Sequence, residues 1–134
     1  MIDTIYDLVR NLLSFLNTTP KFYVRSQHNV MDINATSLGI TTFITNKASK
    51  VHNIIKIIGI LEENPNYKIE INSIDPRLPI RLEPNDAEKM VRFFAQIGRL
   101  SQDKVFTLKI TLFAWWKNKE VEAGHTKITL CRPG

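Results

Sequence analysis

Between residues 104 and 116 apolar and polar side chains alternate. Phe106, Leu108, Ile110, Leu112, Ala114 and Trp116 fall on one side, and Thr107, Lys109 and Thr111 fall on the other. A period of two with one apolar face predicts a long half-buried β-strand, and neither Gly nor Pro interrupts it. The polar stretch Lys117, Asn118, Lys119 and Glu120 predicts a turn, and residues 126–131 predict a second strand pairing antiparallel with the first.

Elsewhere the apolar positions repeat at three and four residues. Ile5, Leu8, Val9, Leu12, Leu13 and Leu16 predict a helix over residues 2–16, stopped before Pro20. A short strand at 21–25, a polar passage at 26–37 and a strand at 39–45 follow. Val51, Ile54, Ile55, Ile58 and Leu61 predict a second helix, capped by Asn46 or Ser49 and ended at Asn64 and Pro65, although its β-branched content and Gly59 lower its propensity. Tyr67, Ile69 and Ile71 mark a strand at 67–71. Residues 75–79 make a loop and 80–82 a short strand. Asn85 with Glu88 three residues on resembles a capping box, and Ala87, Met90, Val91, Phe94, Ile97 and Gly98 form the stripe of a third helix. The expected architecture is a single α+β domain over residues 1–134. A mixed or mostly antiparallel sheet carries helices on one face, in the order β-α-β-α-β-β from about residue 39, preceded by the N-terminal helix and a short strand. Phe94 and Leu108 are expected to meet in the core.

Composition adds compartment and charge. The single cysteine, Cys131, cannot form an intramolecular disulfide, which favours a reducing compartment or indifference to redox, and the expected setting is cytoplasmic. Asp3, Asp7 and Arg10 on the polar face of residues 2–16 argue against a signal sequence, and no apolar run approaches about 18 residues, so no membrane partner is expected. The net charge of +5 favours an acidic partner. It is carried by two stretches: Lys21, Arg25, Lys47, Lys50 and Lys56 against Asp32, and Lys104, Lys109, Lys117, Lys119, Lys127 and Arg132 against Glu120 and Glu122.

Candidate chemistry is sparse. The histidines at 28, 52 and 125 share no metal-ligand spacing with one another or with Cys131, and no phosphate cradle, nucleophile elbow or carboxylate pair stands in the sequence. The reading is a non-enzymatic binding module without metal or cofactor. Lys89, Arg92, Gln96 and Arg99 recur at helical spacing and would form a basic ridge on the third helix, the kind that tracks phosphates. Phe113 and Trp115 break the polar face of the long strand; the alternatives are cover by the N-terminal helix of the chain itself, a protein interface, or stacking on bases.

The expected element order, with Asn46-Lys47-Ala48-Ser49-Lys50 between a first strand and a first helix and a long basic hairpin at the end, resembles the Alba family of small basic nucleic-acid-binding proteins over residues 39–131. The family's Gly-Lys-Lys motif is absent. The resemblance implies that Lys47, Lys50, Lys117 and Lys119 contact a duplex. Two functions follow as expectations. The first is a nucleic-acid binder using the lysine loop and the basic hairpin. The second is a protein-interaction subunit that buries Phe113 and Trp115 against another protein, a second copy of the chain included.

Overall fold

The computed structural model describes residues 5, 18–28, 37–84, 87–98 and 105–131. Among these residues nine strands run in chain order: β1 Phe22–His28, β2 Ser37–Asn46, β3 His52–Ile54, β4 Lys56–Leu61, β5 Asn64–Asp75, β6 Ile80–Leu82, β7 Lys89–Gln96, β8 Val105–Trp116 and β9 Lys119–Cys131. Every pairing is antiparallel. Seven strands lie in the order β1-β2-β7-β5-β4-β8-β9, and β3 with β6 forms a separate ribbon.

The architecture is a nearly closed β-sandwich. Strand β5 makes the corner between its layers. Its beginning pairs with β4, Gly59 facing Ile69, while its later residues pair with β7, Ile71 facing Ala95. A strand that changes sheets needs a local break in its ladder. Between Asn72 and Asp75 the register shifts, with Ser73 in the left-handed region at φ 53°. The outer strands β1 and β9 face each other along a seam. Ser26 and Thr126 hydroxyls meet across it at 3.1 Å, and a Cβ on Gly124 would stand 2.6 Å from the Phe22 carbonyl oxygen, so only glycine permits the approach. Ile40, Ile44, Val91 and Phe93 from one layer share a core with Leu108, Ile110 and Leu112 from the other, closed at one end by Ile54, Ile80 and Leu82 of the ribbon.

The expected strands at 21–25, 39–45, 67–71 and 80–82 are present, most of them longer. So are the long strand and its hairpin partner, which begins at Lys119 rather than 126. The α+β expectation fails, because both expected helices over described residues are strands. In residues 51–61 the β-branched content prevails: Ile57, Gly59 and Leu61 point inward, and a shift of phase at Ile55 imitates helical spacing. Gly59, which weakens a helix, lets β4 and β5 approach. A Cβ there would come within 3.1 Å of Ile69 and 3.2 Å of Ile71. Over Lys89–Gln96 the buried side chains are Val91, Phe93 and Ala95, a period of two, with Ile97 continuing it. Phe94 is 47% exposed instead of buried, whereas Leu108 is fully buried as expected. Glu88, expected to close a capping box, makes two hydrogen bonds with the Arg25 guanidinium at 3.2 and 3.3 Å. The expected helix at 2–16 lies outside the described residues except for Ile5, which is helical and exposed. The resemblance to the Alba family rested on an order of strands and helices that this fold does not have.

Two outcomes follow from these burials. Leu108→Ala should destabilise the fold by about 2–5 kcal/mol, while Phe94→Ala should change it by no more than about 1 kcal/mol; chemical denaturation of both variants measures the contrast. At the far end of β4 the Glu63 carboxylate accepts the Thr107 backbone N–H, at 2.9 and 3.0 Å, and this bond holds its pKa below the usual glutamate value. Because the folded pKa is the lower one, the bond contributes stability above the unfolded glutamate pKa and loses it as pH falls through the folded value. Glu63→Gln should therefore flatten the acid limb of a melting temperature against pH profile and leave the neutral limb's slope unchanged.

Candidate interaction site

The outer face of β4, β8 and β9 is built by alternation. Phe113 lies opposite Lys56 on one side and Glu122 on the other, Trp115 lies opposite Glu120, and Thr111 and Lys109 lie opposite Ile58 and Ile60. A bulge in β9 at the step from Leu112 to Phe113 leaves Ala123 as the extra, buried residue, so Glu120 and Glu122 still point outward with His125 and Lys127. Trp115 is 57% exposed and Phe113 half-buried. Ile58, Ile60, Phe113 and Trp115 thus lie on one surface, bordered by charges of both signs. The Lys56 ammonium sits 5.6 Å from the centroid of the Phe113 ring and 3.7 Å from the Glu120 carboxylate. Lys127 meets Glu62 at 2.8 Å, and His125 Nδ1 lies 3.4 Å from Glu122.

The lysines read from the turns gather at one end of the sandwich. The buried Asn46 side chain shapes their loop: its Nδ2 donates to the Lys50 and Leu82 carbonyls at 2.9 and 3.0 Å, and its Oδ1 accepts the Ala48 N–H at 2.9 Å. This is an Asx-type turn where the sequence suggested a helix cap. The Lys47 N–H donates to the Lys21 carbonyl at 2.8 Å. His52 Nε2 lies 2.6 Å from the Thr18 carbonyl oxygen, and the ring meets Trp116 edge-on at 5.9 Å. At the hairpin tip Lys117 and Asn118 both take left-handed backbone, φ 51° and 64°, the two-residue turn whose twist matches its strands. Lys117 Nζ stands 5.5 Å over the Trp116 ring, and Lys119 opens β9 opposite Trp116. Lys21, Lys47, Lys50, Lys117 and Lys119 are all exposed.

The basic ridge does not form. Lys89 and Arg92 stand on a strand, where an odd spacing puts them on opposite faces; Lys89 Nζ donates to the Arg81 carbonyl at 3.2 Å, and Arg92 lies beside Met90. Arg99 lies outside the described residues. The sequence reading also missed a second outward apolar group, Tyr23, Phe43, Met90 and Phe94 on β1, β2 and β7. There Arg25, held by Glu88, covers Phe43 at 4.4 Å. The period-two pattern in Val91, Phe93, Ala95 and Ile97 was the signal that exposes Met90 and Phe94. Among the described residues no group of three His, Cys, Asp or Glu could hold a metal ion, and no helix is long and apolar enough to cross a membrane.

No protein-family model and no curated protein sequence matches the chain. Among solved structures it is similar to the GAE domain of GGA2p from Saccharomyces cerevisiae, with a TM-score of 0.51 and 12% identity over 84% of this chain and 91% of that one. It is likewise similar to the yeast GGA1 GAE domain-P21 structure, with a TM-score of 0.52 and 16% identity over 84% and 95% of the two chains. At such identities the likeness concerns architecture: the chain folds as an antiparallel β-sandwich of the kind seen in GAE domains.

Proposed function

We propose that this chain is a non-enzymatic protein-interaction module that receives its partner on the outer face of β4, β8 and β9. The observation that carries the reading is the exposure of Trp115 beside Phe113, Ile58 and Ile60 on a regular, rigid sheet. A large aromatic left in water on such a surface is the usual anchor of a protein interface, and Trp heads the residues whose truncation costs most binding energy. The surrounding Lys56, Glu120, Glu122, Lys109 and Lys127 form a rim of mixed sign, which fixes orientation more than it adds affinity. The GAE domains share this antiparallel β-sandwich, an architecture compatible with such a module, and a cytoplasmic setting belongs to the same proposal. Neither the fold nor that likeness supports nucleic acid or a second copy of the chain as the partner. The basic helix ridge and the Alba-like element order that favoured nucleic acid are both absent.

Trp115→Ala should weaken partner binding by about 2 kcal/mol or more. Affinity capture from native extract, quantified by mass spectrometry for wild type, Trp115→Ala and Phe94→Ala, checks this. Proteins retained by wild type and Phe94→Ala but lost by Trp115→Ala, with an unchanged melting curve, are the expected outcome. Equal retention by all three would remove the β4-β8-β9 face from the reading.

A further inference from the structure

Where β5 parts from β4 the surface carries an open groove of about 680 Å³, within the size range of ligand sites. Its making is local. Leu61 pairs with Asn64 and Ile60 with Lys68, so Pro65, Asn66 and Tyr67 lie between two rungs with no opposite residue on β4. Two constraints fix this excursion: Pro65 restricts the backbone where it begins, and the Tyr67 hydroxyl donates to the Ile97 carbonyl at 2.6 Å. Gly98 follows at φ 73°, where any side chain would strike that hydroxyl. The groove is therefore preformed, and a preformed site costs its ligand less ordering.

Its lining is apolar with acceptors at one side. Ile58, Ile60, Pro65, Tyr67 and Ile69 supply the apolar part, while Glu70 and Gln96 stand opposite each other in the β5–β7 ladder. Gln96 commits its amide nitrogen to the Ser37 hydroxyl at 3.3 Å, which leaves its oxygen to accept. Glu70 is exposed, and its carboxylate only accepts. Acids also mark the β4–β5 turn beside Pro65, where the Thr107 N–H keeps Glu63 ionised and Glu62 meets Lys127. Among the described residues no cation lies within ion-pair distance of Glu63 or Glu70. On a chain of net charge +5 this is a local surplus of negative charge. The groove is also continuous with the aromatic face, because Ile58 and Ile60 belong to both. From β8 to β5 is two strand spacings, about 10 Å, which an extended segment crosses in about three residues.

We propose that the partner of the β4-β8-β9 face, whose existence rests on the interaction-module role, lays an aliphatic side chain into this groove and sets an arginine or lysine of the same segment on Glu70 and Gln96. A guanidinium fork meets two neighbouring acceptors at once, whereas an ammonium is a point charge, so arginine is the stronger of the two. The partner segment thus reads apolar on the Trp115 side and basic about three residues away.

The test selects a random dodecapeptide library displayed on phage against the full chain and measures the recovered peptides by fluorescence polarisation. Recovered sequences should carry arginine or lysine about three residues from an aliphatic or aromatic side chain. Glu70→Gln should weaken them about fivefold, the scale of one solvent-exposed ion pair, and remove most of their salt dependence. Glu70→Arg should weaken them further, and a peptide with glutamate in place of its basic residue should regain binding to that variant, a rescue that a merely structural role for Glu70 does not give. Both variants should melt as wild type does. Peptides without a basic residue, binding indifferent to Glu70→Gln, or failure of the charge exchange overturns the proposal. Trp115→Ala separates it from the role on which it rests. Peptides that need Trp115 but not Glu70 overturn the groove and keep the face, those that need Glu70 but not Trp115 keep the groove and overturn the face, and a library that yields no binding sequence overturns both.

Discussion

The structure depends on one dry contact between two sheets. Leu108, Ile110, Leu112 and Ala114 project from a single face of β8 into the core that Ile40, Ile44, Val91 and Phe93 fill from the other layer. Strand β8 is held in that orientation by ladders on both sides, β4 and β9, so its inner and outer faces cannot exchange. This is why Phe113 and Trp115 are displayed. The alternation that buries Leu112 and Ala114 turns Phe113 and Trp115 to the opposite face, where Phe113 is half-buried and Trp115 exposed.

What could be read in the sequence divides along the same line. Residues 104–116 admit one period, and the strand and its hairpin were legible from it, as was the placing of Phe113 and Trp115 on the face opposite Leu112 and Ala114; whether that face is covered was not. Residues 51–61 admit two. Ile54, Ile55, Ile57, Ile58, Ile60 and Leu61 satisfy a helical stripe and, with one change of phase, two short strands. The choice between them is made by Ile69 and Ile71, which lie against Gly59 from another strand, and by His52, which is fixed through Thr18 and Trp116. Neither is a local property. In residues 87–98 the misleading residues were Met90 and Phe94, apolar side chains placed in solvent, which turned a period of two into an apparent period of three and four.

The functional surface was legible in part for a related reason. A lysine in a turn can be identified from its neighbours, so Lys47, Lys50, Lys117 and Lys119 were individually visible. Their gathering at one end, with Lys21 joined through its carbonyl to Lys47, depends on pairings between distant strands. The basic ridge failed for the opposite reason. Lys89 and Arg92 share a face only if the segment is a helix, and the inward demand of Val91, Phe93 and Ala95 makes it a strand.

The near-closure of the barrel has a consequence for how the chain reaches this state. The seam brings Ser26 to Thr126, 100 residues apart, and the central ladder brings Ser37 to Gln96, 59 residues apart. Such pairings pay their loop-closure entropy before any contact rewards it, and sandwiches dominated by them fold in milliseconds to seconds rather than microseconds. The β8–β9 and β4–β5 hairpins, each joined by two residues, are the network's cheap starting points among the described residues. Until β7 arrives between β2 and β5, both of those strands present open edges, and the time spent in that condition is set by topology, not by the strength of the core.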